Sequence, residues 1–331
     1  MQHLLIALFT LLAAVNAYCP VVICPGFGND SIDYDTPLEQ PKELGFKSVL
    51  SRRGFDPDRI YTVPIQRKDW IRVAGGLLDI PNFYTGNALP TGRGYGWYLQ
   101  RLKETVDAAY EESGGEKVLL VAHSAGGWLA RAALGDGTWC DKQGIRTNEK
   151  VRGLVTMGAI HRVPEDEASC VTRGALKNTD LSYPGAFLKD EGILYFSVGG
   201  AAVLGELVDK DLQDYKSRAS RVAYNSYIAV AGRGDQFGDG VVPFEWTQLD
   251  GAKQFRLDGV VHSINEAGTT RATDRWYGSE NVVDLWLPEV LDDLQLRKKV
   301  SASVVGANAL EFGGIKEWVS KLMNPSPEVS R

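Results

Sequence analysis

The amino-acid sequence predicts an α/β protein built on a mainly parallel sheet with helices on both faces. Three observations carry that reading. Short apolar runs such as Val21-Val22-Ile23 and Val118-Leu119-Leu120-Val121 alternate with longer amphipathic stretches, the order that strand-helix-strand units require. The runs are apolar at every position rather than every second one, as strands buried on both faces are. Finally, the 331 residues, 44% hydrophobic and 24% charged, suffice for one large core, since α/β folds often run to about 250 residues as a single domain.

Residues 1–17 read as a signal peptide rather than as part of the fold. Leu4 to Val15 is an apolar core that leads to Val15-Asn16-Ala17, a small-x-small cleavage pattern. A membrane span would need about 20 apolar residues, and Pro20 comes too early. The stretch Val15-Asn16-Ala17-Tyr18-Cys19-Pro20 also resembles the junction of algal proteins bound for complex plastids, where an aromatic follows the cleaved alanine. No transit peptide follows, because Tyr18 opens almost directly into an apolar run. The secretory route is therefore the first expectation, and a plastid reached through the endoplasmic reticulum the second.

The body of the fold then spans 18–297. Val21 to Cys24 reads as a short buried strand that ends in Pro25-Gly26-Phe27-Gly28, Leu38 to Arg53 as a helix and Arg59 to Ile65 as a strand. Tyr98 to Glu112 is a long amphipathic helix closed by Gly114-Gly115. Lys117 to Ala122 is a strand, Gly126 to Leu134 a helix, and Val151 to Met157, Tyr227 to Ala231 and Gln254 to Leu257 are further strands before a last helix, Val282 to Leu294. Two segments break the alternation: Trp70 to Gly96, and an insertion at about 163–222. Loops of that length in a compact domain are usually lids or binding loops. Residues 298–331 read as a tail with one short amphipathic stretch, Ile315 to Met323.

Lys+Arg 36 against Asp+Glu 42 gives a net charge of -6 with no basic run interleaved with aromatics, which argues against nucleic acid as a partner. It also argues against attraction to anionic membranes; a neutral or weakly charged ligand fits better, with peripheral membrane contact as a further expectation and the oligomeric state left open. Cys19, Cys24, Cys140 and Cys170 carry no zinc spacing; Cys140 with Cys170 is one expected bridge, and free buried thiols are the alternative. No metal or organic cofactor is expected.

Ala122-His123-Ser124-Ala125-Gly126 follows four aliphatics and precedes an Ala/Leu-rich helix. A strand that turns sharply into a helix with a polar apex needs small neighbours, and this stretch is a variant of the G-x-S-x-G nucleophile elbow with alanine in first place. The bland alternative is that Ser124 only caps the helix. A nucleophilic serine needs a base and a third group to orient it. Of four histidines, His3 lies in the signal peptide, His123 points away from the elbow, and His262, after the last strand, is preferred over His161. The carboxylate is expected between Ser124 and His262, after the strand read at Tyr227 to Ala231. Asp239, in Gly238-Asp239-Gly240-Val241-Val242-Pro243, is preferred, with Asp235 and Asp258 as alternates. Pro25-Gly26-Phe27-Gly28 has the composition of an oxyanion loop, with the N–H groups of Phe27 and Ala125 as its donors. It lacks the third glycine of a dinucleotide loop.

With elbow, glycine loop, acid and base in this order, the chain resembles the lipase-type α/β-hydrolases, and within them the GPI-inositol-deacylase-like branch that includes plant and algal plastid lipases. The matching stretches run from Pro25-Gly26-Phe27-Gly28-Asn29 through Lys68-Asp69-Trp70 and Gly76-Leu77-Leu78-Asp79 to Arg275-Trp276-Tyr277-Gly278-Ser279. The resemblance implies an α/β-hydrolase fold with a lid insertion, ester hydrolysis, and a triad of Ser124, Asp239 and His262. An acyltransferase and an inactive lipid-binding homologue are the alternatives. Gly158-Ala159-Ile160-His161 stands where such lipases often carry Gly-Thr-Pro-His. Trp70, Phe83, Tyr84 and Trp97 are expected to bind an apolar substrate, with Phe187, Leu188, Leu194, Tyr195, Phe196, Val203 and Leu204 as further cover or as plain core. The sequon Asn29-Asp30-Ser31 lies beside the oxyanion loop, so Asn29 is expected to stay unglycosylated.

Overall fold

The computed structural model describes residues 18–37, 40–78, 80–135, 144–164, 170–212, 214–265 and 273–295. The expected signal peptide, the 298–331 tail and Cys140 lie outside these residues. Of the described cysteines, Cys24 and Cys170 are buried free thiols. The chain divides into two units, 1–285 and 286–331, and the described part of the second, 286–295, is helical.

Six strands form one sheet in the order β2-β1-β3-β4-β5-β8, each pair parallel. They are β1 (Val21–Cys24), β2 (Ile60–Thr62), β3 (Val118–His123), β4 (Val151–Met157), β5 (Leu194–Ala201) and β8 (Lys253–Asp258). A small antiparallel pair, β6 (Val203–Leu204) and β7 (Phe237–Gly238), stands apart. Every residue of β1 and β3 is buried, so both faces of the sheet centre are covered. The chain runs from β1 outward to β2 and then returns past β1 to β3. That reversal leaves a crevice beyond the carboxyl ends of β1 and β3, where open α/β sheets bind their ligands.

The helices are α1 (Phe46–Arg52), α2 (Ile80–Tyr84), α3 (Gly96–Glu112), α4 (Ala125–Gly135), α5 (Ala175–Ser182), α6 (Tyr215–Ala231) and α7 (280–295). In α3 the buried residues Tyr98, Leu99, Leu102, Val106 and Ala109 recur at helical spacing and form one stripe. They join α4 and the residues Val22, Cys24, Val118, Leu120 and Ala122 in one core cluster. The left-handed Gly114 and Gly115 end the helix as expected.

Three elements differ from the sequence reading. The expected helix Leu38 to Arg53 is shorter: a 3-10 turn at Lys42–Leu44 precedes α1. A Cβ on Gly45 would lie 2.0 Å from the Asp35 carbonyl, and Pro41 disfavours helix before it. The expected strand Tyr227 to Ala231 is the end of α6, which opens on an Asp214 side chain that accepts the Ser217 N–H at 3.0 Å and closes on left-handed Gly232. Its β-branched and aromatic residues pack at helical rather than alternating positions: Ala223, Tyr227 and Val230 are buried. Last, the segment 163–222 is not a cover alone, because it contains β5, an inner strand between β4 and β8. Tyr195 and Phe196 are therefore sheet core, 4% and 1% exposed.

Candidate active site

Ser124 sits at the turn between β3 and α4 with φ 53°, a left-handed conformation that costs about 1 kcal/mol or more for an L residue. Its N–H donates to the Met157 carbonyl at 2.9 Å, and its own carbonyl accepts from Gly127 at 3.0 Å. The turn closes because its neighbours are small. A Cβ on Gly126 would come within 2.5 Å of the Cys24 carbonyl, and one on Gly127 within 2.3 Å of the Ala159 methyl.

Ser124 Oγ lies 2.9 Å from His262 Nε2. On the other side of the ring, His262 Nδ1 is 2.7 Å from Asp239 Oδ2. All three side chains are buried. The sequence reading thus names three residues that the fold brings together, although Asp239 follows the two-residue β7 rather than a strand of the main sheet. It is held over the end of β5: Ala202 N–H donates to the Gly238 carbonyl at 2.7 Å. Of the alternates, Asp235 and Asp258 are exposed and pair with Arg233 and Arg256. The His161 ring contacts Thr156 Oγ1 at 3.1 Å, so it is a core histidine.

Asp239 has a full set of donors. Oδ1 accepts the N–H groups of Val241 (3.0 Å) and Val242 (2.7 Å), and Oδ2 also accepts the Tyr277 hydroxyl at 2.8 Å. Burial pushes its carboxyl up, but the His262 charge, the His262 hydrogen bond and the two backbone N–H groups outweigh this and hold it below the usual range. Tyr277 in turn accepts the Gly200 N–H at 2.7 Å. Sequence reasoning gave Tyr277 no role. A local signal existed in Gly158: it has φ +58°, and a Cβ there would lie 2.8 Å from Asp239 Oδ2 and 3.0 Å from His262 Nδ1. Only glycine fits so close to the acid and the base.

The loop after β1 lies against the elbow, since a Cβ on Gly26 would stand 2.7 Å from Ser124 Cβ. Among the described residues neither the Phe27 nor the Ala125 N–H donates to another group, which leaves both available beside Ser124. The loop is cinched from outside: Arg67 donates to the Gly28 carbonyl at 3.0 Å and to both Asp33 oxygens, and Trp70 Nε1 donates to the Asn29 carbonyl at 3.0 Å. Asn29 itself reaches Asp33 Oδ2 at 3.4 Å.

The four expected substrate-binding aromatics do not act alike. Trp70 is 5% exposed and serves as a strut, with its ring 5.1 Å from that of Phe27 and 5.5 Å from that of Trp97. Trp97 is half-buried under Arg72 and Arg101. Tyr84 is 72% exposed, and the Phe83 side chain lies outside the described set. The residue at the mouth that the reading used only for its N–H is Phe27, whose side chain is 61% exposed. An open cavity of about 540 Å³, lined by Arg162, Val163, Pro164, Arg233, Glu245 and Trp246, includes none of the triad residues in its wall.

The parallel sheet, the reversal at β1 and β3, and a serine in left-handed conformation on the turn from β3 into α4 decide the architecture. The fold is that of the α/β-hydrolases. The Lecithin:cholesterol acyltransferase family matches residues 95–162, the stretch that holds α3, β3, the Ser124 turn, α4 and β4. No curated protein matches the chain. Among solved structures, the mature lipase BlEst2 of Bacillus licheniformis is similar, at 14% identity and a TM-score of 0.49, over 84% of this chain and 92% of that one. A soluble variant of monoglyceride lipase from Saccharomyces cerevisiae is similar at 14% identity and TM-score 0.39, over 82% and 87%. Phospholipase PlaB from Legionella pneumophila is similar at 12% identity and TM-score 0.40, over 75% and 53%.

Two buried histidines give the fold a predictable response to acid. Burial, and next to it the His262 imidazole, push His123 down to about 3. Burial and then the Arg131 charge push His161 well below its ordinary value. In the unfolded chain both bind protons below about pH 6.5, whereas the native chain resists protonation, so stability is lost as pH falls through that window. The slope for each is about 1.4 kcal/mol per pH unit. Urea unfolding measured from pH 7 to pH 4.5 is expected to show this loss; a flat unfolding free energy down to pH 5 would contradict it.

Proposed function

We propose that the protein is a serine hydrolase of carboxylic esters, acting on lipid or other apolar acyl esters through an acyl-enzyme at Ser124. The observation that carries this reading is the buried line from Ser124 Oγ through His262 to Asp239, at 2.9 and 2.7 Å. In this mechanism His262 takes the Ser124 proton as Oγ attacks the ester carbonyl, and the Phe27 and Ala125 N–H groups stabilise the oxyanion. His262 then returns the proton to the leaving alcohol, and water releases the acid by the same steps. Asp239 holds the His262 ring and its positive charge, and Tyr277 holds Asp239.

The same acyl-enzyme can be resolved by an alcohol instead of water, and the matched family is named for an acyltransferase, which keeps transfer as the second reading. Product analysis separates them. A phospholipid or monoacylglycerol donor offered with a hydroxylated acceptor is expected to give free fatty acid, and a new ester in its place would make the enzyme a transferase. If the purified protein neither turned over p-nitrophenyl butyrate nor reacted with a fluorophosphonate, the reading as an enzyme would fail, and a lipid-binding homologue would take its place.

A lipid substrate also implies contact with a lipid surface. Near Trp70 the chain exposes Ile71 (74%), Leu78 (72%), Tyr84 (72%) and Leu89 (50%). Of the cations in this segment, Arg67 and Arg72 are ion-paired with Asp33 and Asp69, so what the segment offers is apolar contact. Exposed apolar side chains grouped in one segment suit contact with a lipid surface. Phosphatidylcholine vesicles are expected to bind the wild type, and Ile71→Asp with Leu78→Asp to lose binding while p-nitrophenyl butyrate turnover stays within twofold. Equal binding by the double variant would remove this surface.

A further inference from the structure

Three buried hydrogen bonds run behind the candidate site, and none belongs to the mechanism above. The Gly26 N–H donates to the Tyr34 hydroxyl at 3.0 Å. The Tyr34 hydroxyl meets His123 Nδ1 at 2.9 Å. His123 Nε2 meets the His262 carbonyl oxygen at 3.0 Å. Tyr34 and His123 are 0% and 1% exposed, and Trp276 packs edge-on against both rings.

The two ends of this chain fix its polarity. A backbone N–H can only donate and a carbonyl can only accept. With the Gly26 proton on its oxygen, the Tyr34 hydroxyl satisfies its own proton by donating to His123 Nδ1. His123 must then carry its proton on Nε2, where it meets the His262 carbonyl. The opposite tautomer would set a bare nitrogen against a carbonyl oxygen, and the imidazolium would set a proton on Nδ1 against the one Tyr34 donates. The groups facing His123 are Tyr34, the His262 ring at 4.9 Å, Tyr277 and the nearby Asp239 carboxylate. Burial and the His262 charge both work against a charged His123.

We propose that Tyr34 and His123 are a positioning pair that ties the loop after β1, the elbow and the loop of His262 into one rigid unit, through a neutral His123 protonated on Nε2. The inference rests on Ser124 being the nucleophile. It gives a role to the residue just before the serine, which the sequence reading set aside. One bond fixes Gly26, whose next residue carries the Phe27 N–H, and another fixes the backbone that carries the His262 ring. The oxyanion donor and the base are thereby held to a common frame, which matters because a shift of about 1 Å at a reacting geometry can cost about 100-fold in rate.

The test has two parts on the full chain. Nitrogen-15 NMR of labelled histidine is expected to show His123 as the Nε2–H tautomer with no titration between pH 5 and 8; the other tautomer, or a titration in that range, would overturn the proposal. This part needs no variant to fold. In the second part, Tyr34→Phe is expected to lower kcat for p-nitrophenyl butyrate by about 10- to 100-fold with KM within about twofold. His123→Gln retains a donor near Nε2 but loses the acceptor for Tyr34, so combining it with Tyr34→Phe is expected to cost little beyond either change alone. Multiplicative losses in the double variant, or an unchanged kcat in Tyr34→Phe, would overturn the pair. A wild type that no fluorophosphonate labels would defeat the hydrolase reading instead, while the NMR result would stand by itself.

Discussion

Ser124→Ala is expected to lower turnover of p-nitrophenyl butyrate by about 10⁴- to 10⁶-fold, the scale on which removal of a serine nucleophile acts in such triads. The protein should stay folded. Ser124 already occupies a left-handed conformation at φ 53°, so alanine inherits the same strain rather than adding to it, and among the described residues Ser124 Oγ has one polar partner to lose, His262 Nε2. A thermal melt within a few degrees of the wild type, together with loss of fluorophosphonate labelling, is the expected pair of results. Turnover within tenfold of the wild type would show that another group carries the chemistry.

Asp239→Asn is expected to cost about 10⁴-fold in kcat, because an amide in this place favours the wrong His262 tautomer. The environment sharpens the effect. Asp239 receives four donors, from His262, Tyr277, Val241 and Val242, and an amide nitrogen would face at least one of them with a second donor, a buried clash that also costs stability, roughly 1–3 kcal/mol. Asp235→Asn is the matched control. Its side chain is 73% exposed and pairs with Arg233, so activity should remain within twofold of the wild type. Comparable losses in the two variants would dissolve the assignment of Asp239.

The parts of this site that the sequence exposes are those set by local chemistry. A run of aliphatics before Ala122-His123-Ser124-Ala125-Gly126 signals a strand, and the small residues after it signal close approach, so Ser124 is readable from ten residues. The order of Asp239 and His262 narrows the partners further. Tyr34 and Tyr277 are not readable in this way, because their hydroxyls meet His123 and Asp239 only once loops distant in sequence close. The strand expected before Asp239 was misplaced for a related reason. Apolar β-branched residues suit the buried side of a helix as well as a strand, and the cap at Asp214 and the glycine at 232 carried the deciding information. β5 lay within a stretch without clear alternation, since its Ser197-Val198-Gly199-Gly200 is chosen for close packing against Thr247, Val260 and Tyr277 rather than for hydrophobicity.

The helix behind Ser124 carries one more consequence. Residues Gly126 to Leu134 of α4 are all buried, so no face of that helix is free to fray into water. Its amide protons should exchange only when the whole body opens, whereas amides in the exposed segment around Ile71 to Leu89 should exchange by local opening at much lower cost. Inactivation by denaturant should therefore come in two stages, with loss of lipid turnover before loss of fluorophosphonate labelling, if the exposed segment and the Ser124 turn have the roles proposed for them and open as different cooperative units.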